Sequence, residues 1–246
     1  MSSSREKVGR WALDLECDRP LRDAANRRAA TTTVKGAMAT SGPPRRTPGD
    51  DRLRGLYVVA ILAAAMWIVE IVDTALGGDL DRHGIEPQDT DGLPGVAAAP
   101  FLHDGFGHLV GNTIPFLLLG GVIALSGLRK IVWVTVIVIV VGGLGTWLVA
   151  PPGTIHIGAS GIVFGYATYV IFRGLFSRSA GQLAIGVVVA LLYGTTLLIG
   201  LTPREGISWQ GHLFGALGGL LAAWWLERRE PRPAGNAAAS RYLGNT

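Results

Sequence analysis

Two residues far apart in the chain carry the side chains of a nucleophile and its base: Ser160, in HIGASGIVFG, and His212, in GHLFG. A serine hydroxyl is a weak nucleophile until a base takes its proton, and a neutral imidazole is the usual partner. No Asp or Glu lies in the two apolar segments that contain Ser160 and His212, or in the apolar segments at residues 107–128, 131–149 and 180–201. A Ser–His dyad is therefore predicted. Without the acidic third member of a triad, His212 must be oriented by packing or by an aromatic neighbour.

A second pair of polar residues, His108 and Asn112, is spaced by one helical turn, so both side chains share a face of one helix. Each can donate a hydrogen bond. Together with the backbone N–H of Ser160 they would form an oxyanion hole, in which each donor is worth about 3 kcal/mol to a tetrahedral intermediate.

Glycines surround these residues at spacings that favour close backbone approach. Gly158 and Gly161 flank the serine, which lets its N–H face a substrate carbonyl. Small residues four apart also allow two membrane helices to pack in contact. The pattern predicts contact between the helices that carry Ser160 and His212 through Gly161, Gly165, Gly211, Gly215 and Gly219.

The composition predicts that these helices cross a membrane. The 246 residues are 49% hydrophobic and only 16% charged, with a mean hydropathy of +0.37. A spanning helix needs about 20 mostly apolar residues. Six segments satisfy this requirement: Leu56 to Leu76, Gly107 to Leu128, Ile131 to Val149, Ala159 to Phe176, Ala180 to Leu201, and Ser208 to Leu226. We therefore predict an all-α membrane protein.

Three regions follow from this assignment. Residues 1–54 are rich in Arg, Ser, Thr, Ala and Pro and hold too little apolar surface to fold, so they are predicted to form a disordered basic tail. Residues 55–228 form the six-helix membrane domain, and residues 229–246 form a short C-terminal tail. The single cysteine, Cys17, lies in the first tail and excludes an intrachain disulfide.

The distribution of basic residues predicts that both termini are cytoplasmic. With the N-terminus inside, all but Arg82 and Arg204 of the 22 Lys and Arg residues fall on the cytoplasmic side. The first span would direct insertion, and the plasma membrane is the expected location. The net charge of +4 requires no nucleic-acid partner, because a basic tail next to anionic lipid explains it.

In this topology the second, fourth and sixth spans all begin at the outer surface. Near these three entrances lie His108 and Asn112, Ser160, and His212, so these polar residues cluster at one depth. Polar side chains within spans usually face a bundle interior or a water-filled cavity. Three helix N-termini there would also favour a developing anion.

The order and spacing of HLVGN (His108 to Asn112), GASG (Gly158 to Gly161) and GHLFG (Gly211 to Gly215) resemble the rhomboid family of intramembrane serine proteases over roughly residues 52–230. The resemblance implies a six-helix rhomboid-like bundle and a Ser160–His212 dyad that needs no cofactor. It also implies transmembrane substrates cleaved near their outer ends, with the oxyanion held by His108, Asn112 and the Ser160 N–H. Phe164 stands where the family often has a tyrosine stacked on the catalytic histidine.

Several alternatives remain open at this stage. A GASG motif is also common where membrane helices pack against each other. The first external loop lacks the Trp-Arg pair that many members of the family have. The chain could be a catalytically inactive rhomboid-like protein that binds transmembrane helices, or a small transporter. A zinc site formed by His103, His108, His156 and His212 is a further alternative, but no H-E-x-x-H motif supports it and no metal is predicted. Glu70 and Asp73, near the outer end of the first span, are expected to reach water or to bond the following loop.

Overall fold

The computed structural model describes residues 47–204 and 206–228. The C-terminal tail and all but the last residues of the N-terminal tail lie outside these ranges, and the unit from Pro48 onward is described by itself. Over the described residues the chain is helical and forms no β-strand. Ile85 and His156 form one isolated antiparallel bridge.

Seven α-helices make up the described part of this unit. They are α1 (Pro48–Ala75), α2 (Gly95–Ala98), α3 (Gly105–Ala124), α4 (Leu128–Val149), α5 (Ser160–Ser177), α6 (Ala180–Gly200) and α7 (Trp209–Glu227). The long connection from α1 to α3, which contains α2, also forms single turns of 3-10 helix at Asp81–His83, Thr90–Gly92 and Ala99–Phe101. The six long helices overlap the six predicted spans.

Four of the long helices, α1, α3, α4 and α6, are apolar and long enough to span a bilayer. Helices α5 and α7, of 18 and 19 residues, do not reach the same hydropathy. The chain therefore has the helices of an integral membrane protein, and the count of six spans stays a prediction.

Helix α1 begins at Pro48 and not at the predicted Leu56, so it includes the last residues of the segment assigned to the tail. Proline is favoured in the first turn, and Asp50 and Asp51 interact favourably with the positive end of the helix dipole. The Asp51 carboxylate also accepts a hydrogen bond from the N–H of Leu128, at 3.2 Å. A hydropathy pattern locates the apolar part of a helix and misses such a polar extension.

Helix α5 lies at the centre of the bundle. The side chains of Tyr166 and Tyr169 have no exposed surface, and Tyr166 stacks on Phe116 of α3 with ring centroids 5.5 Å apart. The Tyr166 hydroxyl is 2.6 Å from the hydroxyl of Thr135 on α4. These contacts fix α5, the helix that begins with Ser160, against α3 and α4.

Helices α5 and α7 pack through glycines, as their spacing predicted. A Cβ on Gly215 would overlap the carbonyl group of Gly161, and a Cβ on Gly219 would overlap the carbonyl oxygen of Gly165. Any side chain at these positions would hold the two backbones apart. The distance between α5, which carries Ser160, and α7, which carries His212, therefore depends on the absence of a side chain at Gly215.

We expect Gly215→Ala to lower the free energy of unfolding. Alanine gains about 0.5–1 kcal/mol of helix propensity, but overpacking a tight contact costs about 1–3 kcal/mol, and here the obstructing atoms belong to rigid backbone. Thermal unfolding in detergent micelles measures the difference. Gly181→Ala on α6 is the matched control, since nothing lies within 4 Å of its added methyl group, and it should be neutral or stabilising. Equal stability of the two variants would contradict the packing described above.

The last residue of α7, Glu227, is an acid one position beyond the predicted end of the sixth span. Its side chain is completely buried, accepts hydrogen bonds from Lys130 at 2.8 and 2.9 Å, and accepts one from the Tyr169 hydroxyl at 2.5 Å. Lys130 and Tyr169 belong to α4 and α5. The cluster joins three helices at the end opposite Ser160, so Glu227 cannot act as the missing triad acid.

Glu70 and Asp73 on α1 are both buried. Asp73 accepts a hydrogen bond from the N–H of Leu80 at 2.7 Å, which confirms the predicted bond to the following loop. One carboxylate oxygen of Glu70 is buried and has no hydrogen-bond partner among the described residues.

Candidate active site

The hydroxyl oxygen of Ser160 and Nε2 of His212 lie 2.8 Å apart. Ser160 is the first residue of α5, and His212 lies in the first turn of α7, so the glycine contacts between these helices bring the two side chains together. A hydrogen bond of this length allows direct proton transfer from the hydroxyl to the imidazole. The two residues that the sequence singled out for chemistry are neighbours in the structure.

Two contacts orient the imidazole of His212. Its Nδ1 lies 2.8 Å from the carbonyl oxygen of Gly200, at the end of α6. A carbonyl can only accept, so Nδ1 carries the proton and Nε2 faces Ser160 with a free lone pair. The ring also stacks on Phe164, with centroids 4.1 Å apart and planes 8° from parallel. The aromatic neighbour expected from the sequence is present, and stacking needs no hydroxyl.

Gly158 explains how the chain turns into α5 beside α3. Its φ of +106° is a conformation that side chains disfavour, and an added Cβ would lie 2.8 Å from Nε2 of His108. Glycine is therefore required both by the backbone and by the space. The turn leaves the N–H of Ser160 in the first turn of a helix, where backbone donors have no intrahelical acceptor.

His108 and Asn112 on α3 both face this turn. Nδ1 of His108 accepts a 3.4 Å hydrogen bond from the N–H of Asp104, so the ring proton is on Nε2, the nitrogen that faces Gly158. The amide nitrogen of Asn112 lies 3.7 Å from the position that a Cβ on Gly158 would take, is buried, and has no partner among the described residues. A buried donor without a partner is uncommon and costs stability. Two donors thus lie next to the turn that leads into Ser160.

Gly161 and Gly211, the glycines next to the two dyad residues, each lie in a tight contact. The carbonyl oxygen of Gly211 is 3.1 Å from a Cβ placed on Gly161, and a Cβ on Gly211 would be 2.9 Å from the hydroxyl oxygen of Ser208. Both contacts are tighter than ordinary van der Waals distance. The Gly161–Gly211 contact therefore lets α5 and α7 meet within one turn of the dyad, whereas the Gly211–Ser208 contact lies at the start of α7 itself.

The four histidines of the zinc alternative do not form one centre. His156 lies 2.7 Å from the hydroxyl of Ser208 and 2.9 Å from that of Thr154, while His103 accepts a bond from backbone. Burial lowers the pKa of His156, which favours the neutral imidazole over the charged one. Within residues 47–204 and 206–228, no three His, Cys, Asp or Glu side chains are arranged to hold a metal ion.

A cavity of about 1330 Å³ opens over the Ser160 and His212 side chains. The charged side chains of Asp81, Asp104 and Arg204 are among the residues that line it, together with Asn112 and Phe164. Its size exceeds that of an ordinary small-molecule pocket, and its polar lining would admit water to the dyad.

The sequence did not indicate Gly200 as part of this site. Its carbonyl sets the tautomer of His212, and a Cβ at this position would overlap the Phe164 ring and lie 3.0 Å from Nδ1. The only feature of the sequence that pointed to Gly200 was its position next to Leu201, the predicted end of the fifth span. Glycine is common at helix ends, so this position alone did not indicate a role in the site.

Comparison with known proteins decides the family. The sequence model described as "Rhomboid domain" matches residues 93–229, which is more than half of the chain. The chain belongs to the rhomboid family. This confirms the resemblance inferred from the three motifs, and the matched range contains His108, Asn112, Ser160 and His212.

Relatives of this rhomboid protein occur in several bacteria. An uncharacterized protein of Mycobacterium tuberculosis is 42% identical over 204 residues, which cover 77% of this chain and 85% of the relative. An uncharacterized protein of Mycobacterium leprae is 41% identical over 196 residues, covering 75% and 77%. YdcA of Bacillus subtilis, whose name assigns it provisionally to the rhomboid proteases, is 29% identical over 133 residues, covering 53% and 66%.

Proposed function

We propose that this rhomboid protein is a serine endopeptidase that hydrolyses peptide bonds in or near transmembrane segments of other membrane proteins. The observation that carries the proposal is the paired geometry of His212, whose Nε2 lies 2.8 Å from the Ser160 hydroxyl while Nδ1 lies 2.8 Å from a carbonyl. Because the carbonyl fixes the tautomer, the lone pair faces the nucleophile. A histidine that served only helix packing would not need this arrangement.

The chemistry follows from the positions of these groups. The Ser160 oxygen attacks the substrate carbonyl carbon, and His212 takes the hydroxyl proton. The N–H of Ser160, Nδ2 of Asn112 and Nε2–H of His108 hold the oxyanion. Collapse of the intermediate expels the amine, which receives the proton from His212. Water from the cavity then hydrolyses the acyl-enzyme, with His212 acting again as base.

The substrate class is inferred from where the dyad lies. Ser160 and His212 are in the first turns of their helices, so a substrate helix must unwind near its end to present a peptide bond. Small or helix-breaking residues near the outer end of a span would make this unwinding cheaper. We propose that the protein acts in the plasma membrane with six spans and both termini in the cytoplasm, as the basic residues predict.

The experiment is reconstitution into liposomes with a labelled single-span substrate that has such residues near its outer end. A fluorophosphonate probe, which reacts with activated serines, is applied to the same preparation. Cleavage together with labelling of Ser160 supports the proposal. A folded protein that takes no label and cleaves none of a panel of substrates would instead be an inactive rhomboid-like protein that binds helices.

We expect Asn112→Ala to lower kcat by about 10²- to 10³-fold, because removing one oxyanion donor typically costs that much. KM should change little, since the donor acts mainly on charge that develops in the transition state. Cleavage kinetics in liposomes measure both constants. The control is Thr113→Val on the next residue of α3, whose hydroxyl bonds the Leu109 carbonyl and the Trp67 indole. If both variants retain the parental kcat, Asn112 is not an oxyanion donor.

A further inference from the structure

His103 lies in the connection between the 3-10 turn Ala99–Phe101 and α3, and 1% of it is exposed. Its Nε2 accepts a hydrogen bond from the N–H of Ala159, at 3.3 Å. Its ring also meets the ring of His108 edge-on, with centroids 5.2 Å apart. One buried side chain thus contacts both the residue before Ser160 and one of the two oxyanion donors on α3.

The segment before Ser160 is bonded to the first connection along its length. Ile85 and His156 exchange backbone hydrogen bonds of 2.9 and 3.0 Å, and the N–H of Gly158 bonds the carbonyl of Ala99 at 2.8 Å. The bond from Ala159 to His103 continues this series and is made to a side chain. Residues 156–159 are not helical, so no helix hydrogen bonds fix their backbone. The bonds to the first connection therefore hold the turn that leads into Ser160.

The bond to Ala159 requires an uncharged His103. Its Nε2 must offer a lone pair, which places the ring proton on Nδ1. Burial, together with the nearby His108, lowers the pKa of His103 to about 4, whereas the Phe101 carbonyl acts in the opposite direction. At neutral pH the acceptor is therefore fully present.

We propose that His103 is a positioning residue for the reaction, holding the Ala159 amide and the His108 ring so that the oxyanion donors converge. The inference rests on the proposed function. His103 does not touch the reacting atoms; it acts through the backbone on one side and through His108 on the other. Displacing such groups by about 1 Å costs on the order of 100-fold in rate.

Two nearly isosteric substitutions test this role. His103→Met removes the hydrogen-bond acceptor and fills the space with an apolar side chain of similar length. His103→Gln instead offers an amide oxygen to the Ala159 N–H. We expect kcat per labelled active site to fall about 10- to 100-fold in the Met variant, with KM within about twofold of the parent. The Gln variant should recover most of the loss. Cleavage kinetics normalised to fluorophosphonate-labelled Ser160 separate this effect from a reduced amount of folded protein.

The alternative outcomes are distinguishable. If both variants lose thermal stability but keep the parental kcat per labelled site, His103 is structural only and the inference is wrong. If the Met variant does not fold, the Gln variant decides, because a loss beyond about tenfold in kcat contradicts the role. If Ser160→Ala cleaves as fast as the parent, the proposed function fails, independently of His103.

Discussion

Ser160→Ala is expected to abolish cleavage of a transmembrane substrate, leaving less than about one part in 10⁴ of the parental kcat. The variant lacks the oxygen that forms the acyl-enzyme, and no other hydroxyl lies in hydrogen-bond contact with Nε2 of His212 among the described residues. Stability should change little, since Ser160 is only partly buried at the cavity. The measurement is product formation in liposomes, with fluorophosphonate labelling in parallel.

Ser177→Ala provides a matched control for that experiment. Ser177 ends the same helix that Ser160 begins, and its hydroxyl bonds the Gln182 side chain at 2.8 Å, far from the cavity. This variant should label and cleave like the parent. Parental activity in Ser160→Ala would show that the nucleophile is elsewhere and would exclude the dyad mechanism.

His212→Ala should be as inactive as Ser160→Ala. Without the imidazole, the Ser160 hydroxyl keeps its proton near neutral pH and reacts slowly both with substrate and with the fluorophosphonate probe. Because the two residues act as one unit, the double variant should be no slower than either single variant. Residual rates of the two single variants and the double variant, measured in the same liposomes, test this non-additivity.

His83→Gln controls for the loss of a histidine as such. His83 is exposed on the first connection, where its Nδ1 lies 3.1 Å from the Leu80 carbonyl, and the cavity residues do not include it. Rates near the parental value are expected. If His212→Ala still labels at the parental rate, another base activates Ser160, and the general-base role assigned to His212 is wrong.

Much of the candidate site follows from the sequence because it depends on local pattern. The spacing of Gly161 and Gly215 predicted a close contact of two helices, and that contact brings Ser160 to His212. The turn spacing of His108 and Asn112 likewise placed two donors on one face. Helix periodicity and small-residue spacing are local properties, so residue types alone disclose them.

The remaining features depend on contacts that leave no periodic signal. The Gly200 carbonyl that orients His212 belongs to the end of another helix, 12 residues earlier in the chain. The bond from Ala159 to His103 joins two irregular segments that are 56 residues apart. Glu227 shows the same limit, since only the folded bundle reveals that Lys130 and Tyr169 surround its carboxylate. Apolar content located the six long helices, but it carries no information about a buried polar residue beyond the end of an apolar segment.

The glycine contact between α5 and α7 has a consequence for how this protein tolerates sequence drift. Leu191, Leu192 and Leu198 on α6 are more than two-thirds exposed along the bundle surface, where lipid accepts almost any apolar side chain. Gly215 and Gly219 accept not even a methyl group without moving backbone. Neutral variation should therefore accumulate on the periphery, while the shared face of the two inner helices changes only in concerted pairs.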